Sequence, residues 1–294
     1  METGAKKRGV CCRDGSGQVS ISILILTLNE ELNLPECLNT VRWSDDIVVL
    51  DSLSTDDTVA IAEAAGARVV QRKFDSWSAH QNWALENIPF KYEWVFYIDA
   101  DERMTEELKE ELLQEAKKDR NKNVAYFCGR RNFFLGKWIK HAMPPSPIMR
   151  FFKPRYIRFE RLVNPTPQID GPHGYLRNFL DHYNFSKGIT EWIDKHNRYS
   201  LLEAEEGRKI AEAKRFEVRS LFASDTFARR KALKNLSFNF PLRPWLKFVY
   251  LYFFKRGFLD GGPGLTYCIL SSVYEYFIVL KTRELLRREK GMPI

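Results

Sequence analysis

Four short strand-forming runs fall within the first hundred residues, and each is followed by a stretch that carries a helix-start signal. This alternation constrains the fold more than any other feature of the chain. The runs are residues 21–27, 47–50, 68–71 and 94–98. Residues that are apolar on both sides of a strand are buried on both faces, as in a parallel sheet. Between the runs, Asn33 with Glu36 at the capping-box offset opens one helix. Ser54-Thr55-Asp56-Asp57 opens a second, through about Ala65, and Ser76 or Ser78 a third, through about Glu86. Thr105 followed by two glutamates opens a fourth, to about Lys118, and residues 123–128 predict a fifth strand. Strands and helices alternating at these lengths imply crossover connections and an α/β, doubly wound, mostly parallel sheet.

Ligands of such sheets lie off the carboxyl ends of the strands. Thr27, Asp51, Asp99 and Asp101 all fall there. Strand alternation predicts that Asp99 and Asp101 point the same way. Two carboxylates so placed repel unless a cation lies between them, and Mg²⁺ or Mn²⁺ carrying a diphosphate would supply it. The same acids could instead cap the following helix. No Gly-x-Gly-x-x-Gly and no Walker loop follows the first strand, which argues against a dinucleotide dehydrogenase or a P-loop enzyme.

The net charge of +8 and an aromatic share of 14% suit nucleic acid, anionic lipid or phosphorylated small molecules as partners. Five cysteines form no metal-ligand spacing, and their odd number argues against a disulfide framework. Residues 1–18, rich in glycine, serine and basic residues, read as a disordered leader without the apolar core of a signal peptide, so a cytosolic-facing protein is expected. One large domain is expected over 19–232, divisible into 19–130 and 131–232, with a helical segment over 233–294.

Three blocks, Ile23-Leu24-Ile25-Leu26-Thr27-Leu28-Asn29-Glu30, Asp51-Ser52-Leu53-Ser54-Thr55-Asp56-Asp57-Thr58 and Asp99-Ala100-Asp101, resemble in order and spacing the family-2 glycosyltransferases of GT-A fold, over about residues 20–130. The resemblance implies an inverting, metal-dependent enzyme using a nucleotide-diphosphate sugar, with UDP-glucose the default donor. It implies that Thr27, Asn29 and Glu30 line the nucleotide pocket and that Asp51 binds uracil or ribose. Asp99 would hold the ribose and metal side, and Asp101 the metal and diphosphate. Asn82 is a further candidate for the donor, beside its reading as an ordinary helix-surface amide.

Asp181-His182-Tyr183-Asn184-Phe185, residues 195–200 with Glu203-Ala204, and the segment from Phe258 to Tyr267 resemble the bacterial branch that builds lipopolysaccharide core and exopolysaccharide chains. That implies a lipid-linked or lipopolysaccharide acceptor, a place on the cytoplasmic side of the bacterial inner membrane as a peripheral protein, and no nucleic acid. Where many relatives carry a histidine-containing motif offering a base, residues 162–168 have neither acid nor histidine. Asp170, before Gly171-Pro172, is then the first candidate base, followed by Glu160 and His173; Asp170 as a simple turn cap is the competing reading. His182 and His196 lack a nearby third ligand and read as structural or acceptor-side. The basic, aromatic run from Arg150 to Arg161 could receive a pyrophosphate or an anionic acceptor, or be a solvated face.

From Phe238 the chain turns densely apolar, with basic residues at its flanks and tail through Lys290. Residues 238–290 are expected to lie at a membrane surface, or to form a packed helical hairpin or dimer contact. The residues alone leave two other classes open: a nucleotidyltransferase using the Asp-x-Asp metal site, and a non-catalytic basic nucleic-acid-binding protein.

Overall fold

The computed structural model describes residues 20–118, 122–160, 165–212 and 242–294. The leader expected over 1–18 lies outside the described residues, as does the start of the apolar segment at Phe238. The chain divides into two compact units, one of residues 1–132 and 145–186, the other of residues 133–144 and 187–294. The first unit ends at Ser186, and the helix that follows packs with the C-terminal helices.

In the first unit, β1 (Ser22–Thr27), β2 (Ile47–Asp51), β3 (Arg68–Gln71) and β4 (Val95–Asp99) are joined by α1 (Leu34–Val41), α2 (Thr58–Ala64) and α3 (Trp77–Asn87). After β4 come β5 (Glu102–Met104), α4 (Glu106–Ala116), β6 (Ala125–Phe134), β8 (Pro147–Phe152), β9 (Ile157–Glu160), β10 (Thr166–Ile169) and β11 (His173–His182). The sheet order is β3-β2-β1-β4-β8-β6-β11-β5, with β9 and β10 forming a separate hairpin. Strands β1 to β4 are mutually parallel, β6 and β11 pair in parallel, and β8 and β5 run against their neighbours. This is the mostly parallel, doubly wound sheet expected from the apolar runs.

Alternation along each central strand sends side chains to opposite faces. Ile23, Ile25, Val49, Phe96 and Ile98 pack with Leu34, Leu38, Leu108 and Leu112 from α1 and α4. Leu24, Leu26, Leu50, Val95 and Tyr97 pack with Ala84 of α3 and Phe159 of β9. Two of the predicted caps form as expected: Ser76 accepts from the Ala79 amide and Thr105 from the Leu108 amide, each at 3.2 Å. The Asn33 cap does not; its amide nitrogen instead donates to Glu30 at 2.8 Å.

The second unit holds β7 (Lys137–Trp138), which pairs with the last residues of β6, and α5 (Gly188–Glu212). It also holds α6 (Arg243–Val249), a π-helical turn at Tyr250–Phe254, a 3₁₀ turn at Gly257–Asp260 and α7 (Gly261–Glu289). Asp260, almost fully buried, accepts from the Lys140, His141 and Ala142 amides at 3.2, 3.0 and 2.8 Å and pairs with His141 Nδ1 at 2.8 Å, pinning the start of α7 to the 139–142 loop. The stretch Gly257–Glu289 is the one helix among the described residues that is long and apolar enough to cross a membrane by length and composition.

Candidate active site

The loops leaving β1 and β2 are laced together at the carboxyl end of the sheet. Asn29, at φ +54°, donates its amide to Ser54 Oγ at 2.8 Å and accepts the Thr55 amide at 2.8 Å. The Glu30 amide donates to Thr58 Oγ1 at 2.7 Å and the Glu31 amide to Asp56 at 3.2 Å. Leu53, between the aspartate and Ser54, also has a positive φ of +66°. Backbone strain of this kind in a branched residue costs roughly 1–2 kcal/mol and is held only where the surroundings fix it, characteristically at functional loops.

Asp51 is the anchor of this lacing and is fully buried. Its Oδ1 accepts from Thr27 Oγ1 at 3.0 Å and Ser54 Oγ at 2.5 Å, and its Oδ2 from the Ser54 amide at 2.9 Å and Gln71 Nε2 at 3.2 Å. Burial pushes its carboxyl up, but the Ser54 hydroxyl and amide, Gln71 and Thr27 together hold it below the usual carboxylate value. With every lone pair taken, Asp51 in this conformation holds the turn at Ser54, and Thr27 braces Asp51. The direct contact with base or ribose expected of Asp51 would require breaking one of these bonds.

A second chain of bonds, with His80 its buried member, stands beside it. Arg72 donates to His80 Nδ1 at 2.9 Å, so the proton of the neutral ring lies on Nε2, 3.3 Å from Ser52 Oγ. Asp75 grips Arg72 through two bonds, at 3.0 and 2.6 Å. Burial first, then the Arg72 charge, hold His80 below its ordinary value. The sequence alone singled out none of these three residues as functional.

Past β4, Asp99 and Asp101, expected to point the same way, have different partners. The strand ends at Asp99 and the chain turns through Ala100 and Asp101 into β5, so alternation no longer governs the second aspartate. Asp99 accepts from the Tyr97 hydroxyl at 2.6 Å and pairs with Arg150, whose guanidinium also reaches Glu102 at 2.8 Å and lies over the Tyr97 ring at 4.3 Å. Arg150 and Glu102 are buried, at 2% and 0% exposure. The cation that neutralises Asp99 is therefore part of the protein. Burial and then the Asp99 charge raise Tyr97 well above its ordinary value, keeping the hydroxyl a donor.

Asp101 faces His182 instead, with Oδ2 3.3 Å from Nε2. His182 Nδ1 donates to Asn132 Oδ1 at 2.7 Å, which fixes the tautomer and leaves Nε2 toward Asp101. A carboxylate oxygen and an imidazole Nε2 oriented from behind are a donor set that fits a divalent cation. Among the described residues no group of three such side chains gathers, so remaining positions would fall to substrate oxygens and water. His182, read from the sequence as structural or acceptor-side, is thus brought beside Asp101 by register, for β11 pairs it with Glu102.

The other candidates lie elsewhere or do other work. Asn82 donates to the Phe159 carbonyl at 2.8 Å and accepts the Phe159 amide at 2.7 Å, so its amide holds β9 to α3 and is not turned to a donor. Its neighbour Gln81 is buried, interacts with the Tyr97 hydroxyl and has an Oε1 without a hydrogen-bond partner among the described residues. Asp170 is at the wrong end of the sheet. β8 runs antiparallel to β4, so Phe152 meets Val95 and the chain after it emerges at the amino ends of the parallel strands. There the Asp170 amide bonds Tyr156 and the Pro172 carbonyl accepts from Val124. Along β4 alone that end is about 13 Å from Asp99. Glu160, exposed on β9, accepts from Gln168 at 3.1 Å across the β9–β10 hairpin. His173 begins β11 at the same amino edge, opposite Ala125.

Comparison with known proteins gives the family of the chain. The model of glycosyl transferase family 2 matches residues 22–183, and the chain belongs to that family. An uncharacterized glycosyltransferase of Rickettsia typhi is 24% identical over 92% of this chain and 89% of its own length. The lipopolysaccharide core biosynthesis glycosyltransferase LpsC of Rhizobium meliloti is 26% identical over 88% of this chain and 93% of its own. Among solved structures, glucosyl-3-phosphoglycerate synthase from Mycobacterium tuberculosis matches 40% of this chain and 45% of its own at 25% identity, with a TM-score of 0.33, a local overlap too small to carry donor or metal across. The chain is accordingly an enzyme, a glycosyltransferase, and the nucleotidyltransferase and nucleic-acid-binding readings fall away.

Proposed function

We propose that this enzyme transfers a hexose with inversion from a UDP-sugar, UDP-glucose by default, to a lipid-linked glycan or lipopolysaccharide core on the cytoplasmic face of a bacterial inner membrane. The observation that carries the donor side is the convergence, at the carboxyl ends of β1, β2 and β4, of the laced 28–33 and 52–57 loops, Asp99 and the Asp101–His182 pair. The acceptor class draws support from similarity to LpsC over nearly its whole length.

Asp101 and His182 would hold Mg²⁺ or Mn²⁺, which when bound supplies Lewis-acid stabilisation to the departing diphosphate. Tyr97 and Arg150 fix Asp99 at the rim, where its position suits a ribose hydroxyl. The strained Leu53 loop, braced on Asp51, sets the wall against the nucleobase. Asp170 is too far from this rim to take the acceptor proton, so the base comes from another part of the chain.

The test is release of UDP from UDP-glucose with a lipopolysaccharide-core acceptor, with and without EDTA. Turnover that disappears with EDTA and in Asp101→Asn supports the reading. Turnover that survives both overturns the metal assignment, and failure with every UDP-hexose offered overturns the donor.

A further inference from the structure

The second unit exposes an apolar surface. Over residues 242–259 the chain carries four basic residues and no acidic one. Trp245, Phe253 and Phe254 are 67, 57 and 77% exposed, high for such side chains. They belong to α6 and the π-helical turn that continues it, and Leu242, Leu246, Tyr250 and Phe254 recur at every fourth residue, all exposed. Lys255 and Arg256 follow the apex directly, and Lys255 lies 5.7 Å from the Tyr250 ring.

This knuckle is held rigidly. Arg256 takes a φ of +59°, and a side chain on Gly257 would meet the Leu251 carbonyl at 2.8 Å and Cys268 Sγ at 2.9 Å. Tyr252 packs between Phe248, at 5.3 Å, and Phe258, at 6.1 Å. The aromatic apex is therefore presented by packing beneath it.

A second stripe runs along α7. Leu265, Ile269, Val273, Tyr276 and Leu280 are spaced by three or four residues and all exposed, and only 22% of the most apolar window of this helix is buried. Glu275, the acid within the stretch, is turned away to Arg243 at 2.6 Å and Lys247 at 3.8 Å, so the helix pair neutralises it internally. An apolar face with aromatic residues at its edge, basic flanks and no uncompensated acid is complementary to an anionic lipid surface. A water-facing role would leave this surface unpaid, since patches of this kind mark interaction sites.

We propose that the 242–259 knuckle and the exposed face of α7 seat this protein in the plane of an anionic bilayer, with Trp245, Phe253 and Phe254 at the acyl boundary and Lys255 and Arg256 at the headgroups. The inference stands apart from the transfer reaction, because it is read by binding alone. The full chain is floated with vesicles of phosphatidylglycerol and phosphatidylcholine, and with phosphatidylcholine alone, while its mass in solution is followed by light scattering. The expected result is co-flotation with the anionic vesicles, weaker with phosphatidylcholine. Phe253→Ser with Phe254→Ser, and separately Lys255→Glu with Arg256→Glu, each lower the partition coefficient about tenfold or more, with the circular dichroism spectrum and UDP binding unchanged. A chain that stays in the soluble fraction overturns the proposal, as does one whose flotation ignores both variant pairs. A dimer that Phe253→Ser with Phe254→Ser dissolves also overturns it, by assigning the surface to a second copy.

Discussion

Replacing Arg150 by Met removes the one cation shared by two acids, and the structure sets the size of the effect. Glu102 is wholly buried and Arg150 nearly so, with 2.8 Å between them, and Asp99 is held from the same guanidinium. Arg130 reaches Glu102 only at 3.4 Å, so little compensation remains. Removing one partner of a buried pair leaves an uncompensated charge and costs about 3–5 kcal/mol. At roughly 2–4 °C per kcal/mol for a domain of this size, the melting temperature falls by about 6–20 °C. Urea unfolding at constant slope measures the same loss as a shift in midpoint. Arg150→Met with Glu102→Gln removes both charges and recovers more than half of it, a coupling that a double-mutant cycle reads directly. A loss under about 1 kcal/mol, or a double variant no better than Arg150→Met alone, refutes the reasoning that Arg150 neutralises these acids.

Asn82→Ala forfeits two bonds to the Phe159 backbone and costs about 1–3 kcal/mol, with the KM for UDP-sugar unchanged; a raised KM at intact stability would return Asn82 to the donor site. His80 has a folded-state value below its ordinary 6.5, so the unfolded chain takes up the proton first on acidification. Its contribution is present above that value and is lost as pH falls through the lower folded value; the stability slope in this window flattens in His80→Gln.

The sheet was legible because its central strands are buried on both faces, which makes Ile47–Leu50 and Val95–Ile98 continuous apolar runs. The α3 and α4 starts were legible because Ser76 and Thr105 make local cap bonds. β5, three residues long, has no pattern to detect, and α5 joins the C-terminal helices through contacts invisible in its own periodicity. Asp170 was misplaced for a topological reason: only the reversed direction of β8 shows which end of the sheet the following segment occupies. His182 was read as structural or acceptor-side for a similar one, since only the pairing of β11 with β5 brings it opposite Glu102 and onto Asp101. Asp51 was found by position, but its closure by Thr27, Ser54 and Gln71 depends on three separate elements meeting.

The most direct measurement is calorimetric titration of UDP into the full chain, with Mn²⁺ and with EDTA, beside Asp101→Ala and His182→Ala. A donor site at the carboxyl ends of β1, β2 and β4 predicts binding that needs the metal and is lost or strongly weakened in both variants. UDP binding indifferent to EDTA and to both substitutions, or no UDP binding at all, contradicts it.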